Sequence, residues 1–282
     1  MFSRFLFCFL VCLCFFPVGF CATHVTAAER AVSRRTPVIF AKSAIAFDAR
    51  TGRVFFRQNE NMPTPIASTQ KLLTALLVIE AGDLDRLVTI QPEDTLAAPT
   101  KLYLKAGERY TRRELLHAML IKSANDAALA LARDHSGSPE LFAKLMTARV
   151  RRLGGHSSVF KNPNGLPAEG QISNARELAA IARTAYFNPT LREIVSKPSY
   201  TFFRADGRAI HLRNTNRLLR EFPPCNGMKT GYTDASGHCL VASATRDGRH
   251  IIAVVLGSDK AHVWNDARSL LEYGLSLETV VP

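Results

Sequence analysis

Two hydrophobic periods divide the chain. Residues 43–47 and 53–56 read as strands joined by Asp48-Ala49-Arg50-Thr51-Gly52, whose Asp and Gly supply turn chemistry. Thr64-Pro65 then gives a helix start, with Pro tolerated at the first helical position. Leu72, Leu73, Ala75, Leu76, Leu77 and Ile79 follow, and Gly82 stops the run. A helix apolar nearly all round belongs in the middle of a domain. From Leu84 to about Phe187 the period is mainly helical, clearest over residues 113–121, 127–133, 140–153 and 175–186. Strand signals return in residues 226–233, 239–245 and 250–257, with Asp247-Gly248 as a two-residue hairpin turn. Residues 263–273 form a last amphipathic helix, expected to lie against that sheet. Strands at both ends with helices between predict an α+β fold. Its antiparallel sheet is built from both chain ends, a helical lobe is inserted, and a cleft between the two can hold a site. No internal repeat or interdomain linker is visible.

Composition narrows the setting. The chain has 282 residues and is 47% hydrophobic, enough for one large or two modest domains with an ample core. Residues 1–28 differ from the rest: Arg4 precedes an apolar run from Phe5 to Phe20, and small residues follow at Ala22, Ala27 and Ala28. That layout predicts a secretory signal peptide. The run is interrupted by Pro17 and Gly19 and falls short of the roughly twenty apolar residues a span needs, so no stable membrane anchor is expected once the leader is removed. An exported protein, in a periplasm or at the exterior of a cell wall, is the expectation.

Removing the leader leaves Cys225 and Cys239, which an oxidising compartment could join or leave as buried thiols. The eight histidines show no ligand spacing, so neither a metal nor a cofactor is expected. The net charge of +12, one less once Arg4 leaves, suits anionic envelope polymers or membrane surfaces. Nucleic acid is not expected, because no recognition motif is present and export argues against it. Oligomeric state is not legible.

Three short motifs carry the candidate chemistry: Ser68-Thr69-Gln70-Lys71, Ser123-Ala124-Asn125 and Lys229-Thr230-Gly231. One helical turn would place Ser68 and Lys71 on a shared face. A serine hydroxyl needs a base, and a desolvated Lys71 with the cation Lys229 nearby would be neutral enough to serve. The chain has no Gly-x-Ser-x-Gly elbow. Ser158-Val159-Phe160-Lys161 also fits Ser-x-x-Lys, but its extended context would point the two side chains to opposite sides. Ser123 could relay a proton to a leaving amine, and Asn125 could bind a substrate amide, with Asp126 as an ordinary helix cap. Lys229 and Thr230 would bind a carboxylate, and Gly231 would let a ligand approach the strand backbone. The backbone N–H groups of Ser68 and Tyr232 would form an oxyanion hole.

Taken together, Pro65-Ile66-Ala67-Ser68-Thr69-Gln70-Lys71, Ser123-Ala124-Asn125-Asp126-Ala127, Asn162-Pro163-Asn164-Gly165-Leu166 and Gly227-Met228-Lys229-Thr230-Gly231-Tyr232-Thr233 resemble the successive motifs of the low-molecular-mass penicillin-binding proteins. These are the serine D-alanyl-D-alanine carboxypeptidases of peptidase family S11, and the similarity runs from about residue 43 to 257. The resemblance implies a serine β-lactamase/DD-peptidase-like fold and action on peptidoglycan stem peptides ending in D-Ala-D-Ala. Ser68 would be acylated, β-lactams would be covalent inhibitors, and residues 37–282 would form a single catalytic domain without the family's C-terminal β-domain. The family often places an Arg near the start of the last helix, where this chain has Lys260-Ala261-His262. A DD-endopeptidase acting on crosslinks is the alternative. Behind it come a class A-like β-lactamase, whose Glu-x-x-Leu-Asn motif Glu169-Gly170-Gln171-Ile172-Ser173 does not match, and an inactive wall-binding homologue.

Overall fold

A computed structural model describes residues 35–277. The leader expected over residues 1–28 lies outside them. Strands β1 (Ser43–Asp48) and β2 (Val54–Gln58) form a hairpin, and a 3-10 turn (Ala67–Gln70) leads into helix α1 (Lys71–Glu80). The lobe then contains β3 (Leu87–Thr89), β4 (Arg109–Thr111), α2 (Arg112–His117) with a π-helical turn (Ala118–Lys122), α3 (Asn125–Ser136), α4 (Pro139–Arg152), α5 (Ala175–Phe187) and α6 (Pro189–Ser196). A hairpin of β5 (Ser199–Phe203) and β6 (Ala209–Arg213) and the short α7 (Leu218–Glu221) lead to β7 (Cys225–Thr233), β8 (Gly237–Arg246), β9 (Arg249–Ser258) and α8 (Val263–Ser276).

The main sheet has the order β2-β1-β9-β8-β7 and is antiparallel throughout. Pairing of β1 with β9, from Ser43 opposite Leu256 to Asp48 opposite Ile251, joins the two chain ends as expected. Asp247 and Gly248 both take positive φ, +51° and +73°, which the two-residue turn between β8 and β9 requires. Side chains of the central strands alternate between two cores. Ala44, Ala46, Leu240, Ala242, Ala253 and Val255 face α8, whereas Ile45, Phe47, Val241, Ile252 and Val254 face α1 and the lobe. Both faces are buried, so β9 reads as one apolar run rather than an alternation.

Two expectations need correction, and a hairpin lies where no element was expected. Helix α1 begins at Lys71, not near Pro65, because Thr64 is bridged to Ser173 and Ala67 takes φ +47°, which a helix continuing from Pro65 does not allow. The lobe also holds strands that the helical period hides: β3 and β4 are three residues each, too short to show a period of two. The hairpin of β5 and β6 interrupts the interval before the last sheet strands.

Candidate active site

Everything at the site starts from the buried end of α1. Lys71 is the first residue of that helix and is fully buried. Its Nζ lies 2.8 Å from Ser68 Oγ, 2.7 Å from Asn125 Oδ1 and 2.5 Å from the carbonyl oxygen of Asn164. A neutral amine has two N–H groups and one lone pair. The amide and carbonyl oxygens can only accept, so in its neutral form the amine would give them both N–H groups and turn its lone pair to the Ser68 hydroxyl, which also lies 3.2 Å from the Asn164 carbonyl oxygen. Burial, followed by the charge of Lys229, pushes Lys71 well below the ordinary lysine value, while the charge of Asp126 pulls the other way.

The loop from α2 to α3 supplies the second wall. Ser123 adopts left-handed backbone (φ +67°) and sends its hydroxyl to within 3.0 Å of Lys229 Nζ, so it meets Lys229 rather than Lys71. Asn125 opens α3 and is committed at both ends of its amide: Oδ1 accepts from Lys71, and Nδ2 donates to the Ala98 carbonyl at 3.3 Å. That arrangement makes it first a holder of Lys71. Asp126 is not the cap of α3, since Ala124 occupies that position. Its buried carboxylate instead accepts from the backbone N–H groups of Leu102, Leu104 and Ala127 and ties down the loop that carries Pro99 and Thr100.

Strand β7 is the third wall. Lys229 is buried and donates to Ser123 Oγ and to the Thr230 carbonyl, each at 3.0 Å; burial lowers its pKa to about 7. Thr230 Oγ1 donates to Thr215 Oγ1 at 2.7 Å. A Cβ at Gly231 would lie 3.0 Å from the Ser68 nitrogen and 3.0 Å from Ala67 Cβ, so this glycine lets the strand pass close beside the serine turn. Tyr232 follows with an exposed ring tilted over His238 at 4.5 Å, its hydroxyl bonded to Asp234. Ser68, Ser123, Thr215, Thr230, Gly231, Tyr232 and His238 share one cleft of about 420 Å³.

Two contributors were not singled out from the sequence. The Asn164 carbonyl reaches Ser68 and Lys71 because Gly165 (φ +86°) lets the loop press on the serine turn; a Cβ there would stand 2.1 Å from the Ala67 carbonyl oxygen. The Asn162-Pro163-Asn164-Gly165 turn signal was visible, but a backbone oxygen leaves no mark in side-chain chemistry. Thr215 is set by its neighbours: Asn214 Nδ2 donates to the Lys197 carbonyl, and Asn216 Nδ2 donates to the Gly227 carbonyl. Near the start of α8, Lys260 is exposed, while His262 bonds Asp259 at 2.8 Å and stacks on Phe40. Val263 and Trp264 line the cleft in that region.

The remaining motif residues have structural roles. Ser158 donates to Glu177 Oε2 at 2.6 Å in an extended segment, far from any nucleophile role for its Ser-x-x-Lys match. Cys225 and Cys239 are free and buried. Cys239 pairs with Gly231 rather than with a residue near Cys225, which places the two sulfurs several strand positions apart, beyond disulfide reach.

Comparison with known proteins identifies relatives of this chain. The chain is 34% identical over 223 residues to D-alanyl-D-alanine carboxypeptidase DacF of Bacillus subtilis, a match over 77% of this chain and 57% of that protein. It is 35% identical over 243 residues to D-alanyl-D-alanine carboxypeptidase DacB2 of Mycobacterium tuberculosis, covering 84% and 83% of the two chains. The crystal structure of the Streptomyces K15 DD-transpeptidase superposes with a TM-score of 0.81 at 29% identity, over 86% of this chain and all of that one. The family profile described as D-alanyl-D-alanine carboxypeptidase, Peptidase_S11, matches residues 30–260. With most of the chain matched and its fold shared, the protein belongs to peptidase family S11, the serine D-alanyl-D-alanine carboxypeptidases.

Proposed function

We propose that the protein is an exported serine-type D-Ala-D-Ala carboxypeptidase that trims peptidoglycan stem peptides through an acyl-enzyme on Ser68. The observation that carries this reading is the buried Lys71 amine held 2.8 Å from Ser68 Oγ, with two further acceptors that would take both N–H groups of its neutral form. In the forward step Lys71 takes the Ser68 proton as Oγ attacks the carbonyl carbon of the penultimate D-Ala. Backbone N–H groups of Ser68 and Tyr232 receive the developing oxyanion, an interaction worth about 10² to 10³ in rate per donor. Lys71 gives the serine proton up, with Ser123 as relay, to the leaving D-Ala nitrogen as the C–N bond breaks and becomes neutral again, while Lys229, Thr230 and Thr215 hold the leaving carboxylate. Water then attacks the ester, and Lys71 accepts the water proton and returns it to Ser68 Oγ as the ester C–O bond breaks, which regenerates Ser68 and the neutral amine.

β-Lactams present a carboxylate and an acylating carbonyl to the same groups and trap Ser68. None of the side chains lining the cleft is acidic, Glu169 is exposed, and Asp126 is occupied by backbone amides. Among the described residues no carboxylate lines the cleft to activate water against a bulky penicilloyl ester, so slow release is expected and a β-lactamase reading is disfavoured. The test is an intact-mass time course with excess benzylpenicillin, peptide mapping, and an assay of D-Ala release from a pentapeptide. A long-lived adduct on Ser68 that is absent in Ser68→Ala, together with D-Ala release, supports the reading. Hydrolysed drug without an adduct would replace it with β-lactamase activity, and intact drug without an adduct would indicate a silent homologue.

A further inference from the structure

The cleft carries an unbalanced charge. Lys122 stands in its wall, and among the described residues no lining side chain is acidic. Lys122 is exposed, and its side chain has neither an ion-pair nor a hydrogen-bond partner among the described residues. On a convex surface such a lysine would be ordinary. Inside a concave site without acids, it is a positive charge available to whatever enters.

Its position along the cleft follows from the backbone. Lys122 ends the π-helical turn, and Ser123 turns the chain at φ +67°, ψ 30° to put its hydroxyl on Lys229. Lys122 therefore belongs to the end where Lys229, Thr230 and Thr215 gather. In the acyl-transfer reading that end receives the leaving group, because the carboxylate there belongs to the residue being released. Lys229 and Thr230 account for one carboxylate, and a lone D-alanine has only one.

We infer that Lys122 is a specificity residue for a second carboxylate on the leaving group. Among leaving groups larger than a lone D-alanine, the enzyme then favours those that carry a second carboxylate, as in the acceptor strand of a peptide crosslink, over their neutral isosteres. This inference rests on the acyl-enzyme reading of Ser68.

An isosteric pair of peptides ending in D-Ala-D-Glu and D-Ala-D-Gln tests it, with D-Ala-D-Ala as the reference and benzylpenicillin acylation as the check that the site is assembled. The wild-type protein should cleave the D-Glu peptide with a kcat/KM about fivefold above the D-Gln peptide at low salt, the upper range for an exposed ion pair. The ratio should fall toward one as salt is raised. Lys122→Gln should bring the ratio to one, Lys122→Glu should invert it, and Lys122→Arg should keep it. A crosslinked muropeptide dimer with an acidic acceptor should show the same order. Equal rates on the two peptides in the wild-type protein, or a preference that persists in Lys122→Gln, would overturn the inference. So would cleavage of D-Ala-D-Ala alone with normal acylation. Loss of acylation and of all cleavage in the wild-type protein would sink the Ser68 reading as well.

Discussion

Two buried lysines with different duties make the pH dependence of acylation the most discriminating measurement. In the proposed mechanism Lys71 must be neutral to accept the serine proton, and Lys229 must be charged to attract a carboxylate. Burial and the Lys229 charge hold Lys71 well below the ordinary lysine value, and burial brings Lys229 to about 7. Raising the pH therefore increases the working form of Lys71 and removes that of Lys229. The second-order acylation constant reports the free enzyme, so both titrations appear in it for a carboxylate-bearing penicillin. Its methyl ester needs only Lys71. Dividing the constant for the acid by that for the ester cancels Lys71 and isolates Lys229. With Lys229 near 7, roughly nine-tenths is charged at pH 6 and roughly one-tenth at pH 8, so the ratio should drop about tenfold over that interval. Stopped-flow acylation with the acid and ester forms, at fixed ionic strength, measures it. A ratio flat from pH 6 to 9 would refute the reasoning, because Lys229 would then either not meet the carboxylate or not titrate in its burial.

Further perturbations follow from the same geometry. Gly165→Ala would put a Cβ 2.1 Å from the Ala67 carbonyl oxygen, in left-handed backbone, and force the Asn164 carbonyl away from Lys71. A displacement near 1 Å should slow acylation on the order of 10²-fold, with a stability cost of about 1–2 kcal/mol, read by stopped-flow and thermal melting. Thr215→Val removes the acceptor of the Thr230 hydroxyl at 2.7 Å. It should weaken capture of carboxylate-bearing ligands about five- to tenfold, with little change for esters, as one net hydrogen bond of about 1 kcal/mol predicts.

The sheet was readable from the sequence because its signals are local and repeated. The turn Asp247-Gly248, the apolar runs of β8 and β9 and the hairpin at Asp48 each specify an antiparallel neighbour. The three-residue strands β3 and β4 were not readable, since their pairing is fixed by tertiary contacts rather than by period. At the site, side-chain motifs announced Ser68, Lys71, Ser123, Asn125 and Lys229, which fall around one cleft. Their pairings did not follow from spacing: Ser123 meets Lys229, and Asn125 meets Lys71. Asp126 looked like a cap because Asp at a helix start usually is one, yet the backbone of Leu102 and Leu104 claims it. The part of the site made by the Asn164 carbonyl depends on a loop brought across α1 by Gly165, a long-range approach that no local pattern encodes.

One consequence ties the chemistry to the burial. Lys71 and Lys229 are both fully buried, and among the described residues neither has an ion-pair partner. Asp126 is the acid whose charge reaches Lys71, but its oxygens are spent on backbone N–H groups. An unpaired buried ammonium is expensive, and the protein answers by letting both lysines fall toward neutrality rather than by supplying a counterion. A substrate carboxylate arriving at Lys229 and Thr230 would be the missing counterion. It would raise the pKa of Lys229 and hold that lysine charged, while the carboxylate's own negative charge would offset the effect of the Lys229 charge on Lys71. A site with an internal carboxylate beside Lys229 would hold that lysine charged at all times and leave no uncompensated cation to receive the ligand.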